Sequence, residues 1–192
     1  MKNAVILHGL PDKEEYYDPD FPAQSNAHWI AWLQKQLQRK DIFTQTPEMP
    51  MSFKPNYPVW KREFERYDIT PNTLLVGHSC GGGFLVRWLS EHPNTKVGKV
   101  ILVAPWINPA EKPKYDTGNF FEFEIDPDLV NRTIETVIFR SSNDSEDVLK
   151  SIEILKAKIK NLKIREFKNY GHFCDRDLKT DAFPELLAEC LK

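Results

Sequence analysis

Long hydrophobic runs are missing from this sequence. The first apolar run, Ala4–Leu7, is too short for the apolar core of a signal peptide. It is far too short to cross a bilayer, which takes about 20 apolar residues. No export signal or membrane anchor is read, and a cytoplasmic protein is expected. Cysteine is scarce as well. Cys80, Cys174 and Cys190 are the only three. The count is odd and no C-x-x-C pair is present, so neither a disulfide framework nor a zinc site is indicated. Reduced thiols are the simplest reading. Excess charge of either sign is lacking: 26 Lys and Arg stand against 28 Asp and Glu, a net charge of −2. Nothing electrostatic argues for binding nucleic acid or an anionic membrane. A G-x-G-x-x-G turn is also absent, which argues against a dinucleotide site. The chain holds no internal repeat, no low-complexity segment, and 14 prolines without a Pro-rich run.

The 192 residues fit one domain over 1–192, with 41% hydrophobic residues to fill a core. Short apolar runs alternate with amphipathic stretches. The predicted strands are Ala4–Leu7, Phe43–Thr46, Thr73–Val76, Val100–Val103, Thr136–Phe139 and Leu162–Phe167. Helices are predicted over Ala27–Leu37, Pro58–Tyr67, Gly83–Leu89, Val148–Ile159 and Phe183–Leu191. Near-continuous Val/Ile/Leu runs mark strands buried on both faces, as in parallel sheets. An α/β fold follows: a mainly parallel sheet of about six strands, with helices on both faces. Pro105–Arg132 is polar, aromatic and without a clean period. It reads as an excursion between two strands, a lid or a pocket loop.

The sharpest motif is Gly77-His78-Ser79-Cys80-Gly81, directly after an apolar strand and leading into a helix. That is the strand–turn–helix context required of a G-x-S-x-G nucleophile elbow. Small residues two before and two after the serine let strand and helix approach closely. The serine oxygen is thereby held above the C-terminal edge of the sheet. The turn also aims the backbone N–H of Cys80 toward a developing oxyanion. Cys80 occupies the variable position of the motif, so its amide is assigned the role rather than its thiol.

A serine nucleophile needs a base, and the base an orienting carboxylate, in the chain order Ser, Asp or Glu, His. Downstream of Ser79 lie His92 and His172. His92, beside Pro93 at the end of the elbow helix, reads as a solvent-facing cap. His172 follows the last strand and falls on the same sheet edge as Ser79. The acid should follow strand Thr136–Phe139, where Asp144 and Asp147 compete. Asp144 is nearer the strand end and is preferred, while Asp147 sits where the first turn of a helix wants an acid. A second oxyanion donor is expected at the N–H of Leu10, with Gly9 allowing close approach; alternatively, Gly9 simply ends a strand. His28, Trp29, Trp106 and Phe120, with Tyr115, Phe121 and Phe123 nearby, supply either an apolar substrate pocket or a satellite core under the long loop.

With these residues in view, the chain resembles the small serine hydrolases related to retinoblastoma-binding protein 9 and their bacterial YdeN-type relatives. The resemblance runs over essentially the whole length. It rests on His8-Gly9, His28-Trp29, Gly77–Gly81, Ser142-Asn143-Asp144 and Gly171-His172-Phe173. It implies a compact α/β-hydrolase fold, Ser79, Asp144 and His172 as the triad, no cofactor, and small acyl compounds as substrates. Two departures are visible. Ser145 replaces the proline that often follows the acid, and no cysteine lies in an L-x-C-x-E sequence, so nothing supports binding to a retinoblastoma-type pocket protein. The expectation is hydrolysis of a small carboxylic ester, amide or thioester, with no nucleic-acid, membrane or metal partner. The alternatives are a non-catalytic interaction protein on a hydrolase scaffold, or a lyase or acyltransferase using the same residues.

Overall fold

The computed structural model describes residues 2–110 and 115–192. Its centre is a six-stranded sheet in the order β2-β1-β3-β4-β5-β6, every neighbouring pair parallel. The strands are β1 Asn3–Leu7, β2 Phe43–Gln45, β3 Thr73–His78, β4 Val97–Val103, β5 Thr133–Ser141 and β6 Lys163–Phe167. The helices are α1 Lys13–Tyr17, α2 Ile30–Gln38, α3 Tyr57–Phe64, α4 Cys80–Glu91, α5 Glu146–Lys158, α6 Asp175–Leu178 and α7 Pro184–Cys190.

Strand order reverses at β1. The chain steps outward to β2, then crosses back to β3 on the other side of β1. Right-handed crossovers running in opposite directions put their helices on opposite faces. Accordingly, Trp60 and Phe64 of α3 pack on Phe84 of α4. Trp29, at the head of α2, meets Phe183 before α7 on the other face. The central strands explain their own burial: β3 is buried at every residue, and β1 at every residue but its first. A strand covered on both sides has no solvent face to mark with polar residues.

Each predicted strand and long helix is present, with shifted ends. Strand β3 runs on through Gly77 and His78, and α4 begins at Cys80 rather than Gly83, so the connection shrinks to Ser79 alone. Helices α1 and α6 were not anticipated. They span five and four residues and bury none of them, so they carry no apolar period to read.

Within the Pro105–Arg132 excursion, residues 111–114 lie outside the described residues. The remainder is irregular apart from a 3-10 turn over Leu129–Arg132. It is firmly tied to α4. Arg87 donates to the carbonyls of Asn119 and Phe120 at 2.6 and 2.9 Å, Arg132 donates to the Leu89 carbonyl at 2.7 Å, and Ser90 Oγ accepts from Asp126 N–H at 3.1 Å.

Candidate active site

Parallel strands bring the loops after β1, β3, β4, β5 and β6 to one edge. The crevice beside the point where strand order reverses, between β1 and β3, is where open α/β sheets place ligands. Ser79 stands there. Its backbone has φ 52° and ψ −118°, a conformation that L-residues rarely adopt and that costs of order 1–3 kcal/mol. The surroundings impose it. Ser79 N–H donates to the Val103 carbonyl, while the Ser79 carbonyl accepts from Gly83 N–H and Trp106 N–H, at 2.9–3.1 Å. Close packing of strand and helix completes the turn: a Cβ on Gly77 would lie 2.7 Å from the backbone of Gly81 and Gly82. The Ser79 hydroxyl is half-buried and bonds to no described residue.

The loop after β5 and the loop after β6 are stitched together. Ser141 Oγ donates to Asn143 Oδ1 and accepts from Tyr170 N–H, and the same Asn143 oxygen accepts from Gly171 N–H at 2.9 Å. This seam carries Asp144 to His172, whose Nδ1 lies 3.0 and 3.1 Å from the two carboxylate oxygens. The Asp144 side chain is only 2% exposed and that of His172 27%, so the pair presents the ring and hides the acid. Asp147 lies in the first turn of α5 instead, where its carbonyl accepts from Ser151 Oγ. Ser145, in place of a proline, caps that helix by accepting from Val148 N–H.

His172 is held by its own backbone too. Its N–H donates to Asp177 Oδ2 at 2.9 Å, and its carbonyl accepts from His78 Nε2 at 2.8 Å. Trp29 Nε1 donates to the next carbonyl, that of Phe173, at 3.0 Å. Burial, reinforced by the imidazoles of His172 and His28, holds His78 well below the ordinary imidazole pKa. A neutral His78 with its proton on Nε2 matches the carbonyl it faces.

Gly9 abuts the serine, since a Cβ there would lie 3.2 Å from Ser79 Cβ and 3.7 Å from its Oγ. The Leu10 N–H that follows bonds to no described residue. Cys80 is fully buried, and burial pushes its thiol far above the usual range, so it stays protonated.

The aromatic residues separate into different places. Phe120 is fully buried against Tyr57, Trp60 and Phe84, and Trp29 is fully buried under the His172 loop; both are core residues rather than walls of an open pocket. Trp106 touches the serine through its backbone, and its ring meets Tyr115 and Phe121. His28, partly exposed and at positive φ, bonds to Asp175 and stands edge-on to His78 at 5.8 Å between ring centres. His92 stacks on Trp88 and pairs with Glu65, away from this edge. The sequence reading assigned no part to His8, His78, Asn143 or Asp177. His8, His78 and Asn143 stand in the motifs that carry the resemblance, without a role of their own, and nothing in the sequence marks Asp177.

Among the described residues, no cluster of three or more His, Cys, Asp or Glu is arranged to hold a metal ion. No helix among them is long and apolar enough to cross a membrane.

An all-parallel six-stranded sheet with a strained serine at its reversal point defines an α/β-hydrolase fold. The serine hydrolase family profile matches residues 18–185, and the chain belongs to that family. Among solved structures it is similar to the ydeN gene product of B. subtilis, with a TM-score of 0.80 at 21% identity over 100% of this chain and 99% of that one. It is also similar to Est1E from Butyrivibrio proteoclasticus (TM-score 0.62, 15% identity, 99% and 88% coverage). The esterase EaEST from Exiguobacterium antarcticum gives 0.62 at 16% identity over 100% and 92% of the two chains. At these identities the likeness is one of fold. No curated protein matches the chain.

Proposed function

We propose that this serine hydrolase cleaves small carboxylic esters, with amides and thioesters as related acyl donors, through Ser79, His172 and Asp144. The observation that carries the reading is the buried Asp144 carboxylate on Nδ1 of a partly exposed His172, at the sheet edge that also holds Ser79. An acid in that position fixes the imidazole with Nδ1 protonated. Nε2 is then free to act as a base, and the imidazolium is stabilised once it forms.

In the first half-reaction Ser79 Oγ attacks the acyl carbon and its proton passes to His172 Nε2. The carbonyl oxygen becomes an oxyanion, held by the N–H groups of Cys80 and Leu10. Collapse breaks the bond to the leaving group, which takes the proton from His172. In the second half-reaction water attacks the acyl-enzyme with His172 as base, releasing the acid and restoring Ser79. The Ser79–His172 hydrogen bond closes when substrate is bound, as such bonds are commonly long in the free enzyme.

Labelling with a fluorophosphonate, followed by mass spectrometry of the modified peptide, tests the reading. Modification of Ser79 that disappears in His172→Ala is expected. A folded wild type that takes up no label would sink it and favour an interaction protein on the same scaffold.

A further inference from the structure

The buried His8 has two hydrogen bonds that leave no freedom in its protonation. Met49 N–H can only donate, and it does so to His8 Nε2 at 2.8 Å. The carbonyl of Gly9 can only accept, and it lies 2.7 Å from His8 Nδ1. Both contacts are satisfied together by one form alone, the neutral ring with its proton on Nδ1. The ring is 1% exposed and packs edge-on to Trp60. Among the described residues, the charged group paired closest to it is Glu48, 3.7 Å from Nε2, whose other oxygen accepts from Ser25 N–H.

The consequence lies in the peptide between Gly9 and Leu10. In a trans peptide the carbonyl and the following N–H point in opposite directions. The Gly9–Leu10 peptide is trans, as are all those among the described residues. Fixing the Gly9 carbonyl on the His8 ring therefore fixes the Leu10 N–H on the opposite side, away from that ring. Had this peptide flipped, an oxygen would stand where a donor is needed. Gly9 itself lies against Ser79, within van der Waals reach of its Cβ and Oγ.

We infer that His8 is a positioning residue: as an Nδ1–H tautomer it locks the Gly9–Leu10 peptide with the Leu10 N–H turned toward the oxyanion formed at Ser79. The inference rests on the proposed acyl chemistry. His8 touches neither substrate nor the reacting atoms; it acts through the backbone.

Two substitutions divide its two bonds. His8→Asn puts an amide N–H near the place of Nδ1 and keeps the Gly9 contact. His8→Gln puts a carbonyl oxygen near the place of Nε2 and keeps the Met49 contact only. With p-nitrophenyl acetate as probe, His8→Asn is expected to retain turnover within about fivefold. His8→Gln should lose about 100-fold in kcat with KM little changed, the scale of one oxyanion donor. An alkyl trifluoromethyl ketone, which forms the oxyanion on the serine, should bind His8→Gln weaker by a similar factor. Equal activity in the two variants, or equal losses that follow their melting temperatures, would overturn the inference. Should His8→Gln not fold, the ¹⁵N spectrum of the wild-type histidines decides: an Nδ1–H His8 supports the lock and an Nε2–H His8 refutes it. Wild-type protein that neither turns over the ester nor takes a fluorophosphonate would instead bring down the proposed function, and the His8 tautomer would still be read from the spectrum.

Discussion

His78 Nε2 lies 2.8 Å from the carbonyl oxygen of His172, with the two rings 4.9 Å apart. The residue just before the serine thus carries the loop that holds His172. Replacing His78 with Leu leaves the part-buried His172 carbonyl with only the weak donor Cys174 Sγ at 3.9 Å, at a cost of about 1 kcal/mol. Turnover should fall because His172 loses the shorter of the two hydrogen bonds to its carbonyl. His78→Gln, whose amide reaches the same place, should recover most of both. The same histidine gives a pH signature. Its folded pKa lies below the unfolded value of 6.5. The unfolded chain therefore binds a proton that the folded chain refuses, and stability falls as pH drops below about 6.5. Urea unfolding between pH 8 and 5 should show this slope, and His78→Gln should flatten it.

Ser79 stores backbone strain that glycine would not feel. Ser79→Gly should raise the unfolding free energy by about 1 kcal/mol while abolishing turnover. Ser79→Ala, equally inactive, should match the wild type in stability. Calorimetry on the three proteins checks this, and a destabilised Ser79→Gly would refute the account of the turn.

Asp144 and Asp147 differ in what they touch, and their substitutions should differ likewise. Asp144→Asn should lower kcat by roughly 10⁴ by favouring the wrong tautomer of His172. Asp147→Asn should keep turnover near wild type and cost no more than about 1 kcal/mol as a lost first-turn charge. Steady-state kinetics and melting curves on the pair separate the two roles.

Far from the site, Glu135 accepts from Lys163 and forms an ion pair with Lys99, which also pairs with the buried Glu189. The hydrogen bond from Lys163, then that from Lys99, hold Glu135 at about 2, against an ordinary value of 4.5. A depressed carboxylate contributes its stability above the unfolded pKa and loses it as pH falls toward the folded one. The stability gap between wild type and Glu135→Gln should therefore be full at pH 6, shrink from about pH 4.5 downward, and close near pH 2. Acid unfolding monitored by circular dichroism measures it, and a gap independent of pH would contradict the ion-pair account.

Local pattern was the readable part of this protein. Buried parallel strands leave runs such as Val100–Val103, and a helix with one apolar face leaves the spacing of Val148, Ile152 and Leu155. Short exposed helices leave neither, which is why α1 and α6 were invisible. The aromatic residues left two readings open for a related reason. Phe120 lies in a polar, aperiodic segment, yet Arg87 draws that segment onto α4 and buries the ring against Trp60.

By itself, the sequence determined the turn at Ser79. Glycine at 77 permits an approach of β3 to α4 that any side chain would block, a matter of sterics within a few residues, whereas a Cβ on Gly81 would meet the backbone of Leu7 and His8 at the end of β1. It also determined that the loops after parallel strands share one edge. Only the tertiary structure decided which acid meets His172. Asp144 and Asp147 lie three residues apart, one before α5 and one in its first turn, and the choice is made by hydrogen bonds that Asn143 and Ser141 accept from the Gly171 and Tyr170 N–H groups, nearly thirty positions away. The same holds for His8 and His78. Their positions along the chain are plain, but a ring nitrogen acquires a task only when a carbonyl from elsewhere, or from a particular turn of the backbone, is brought within 3 Å of it.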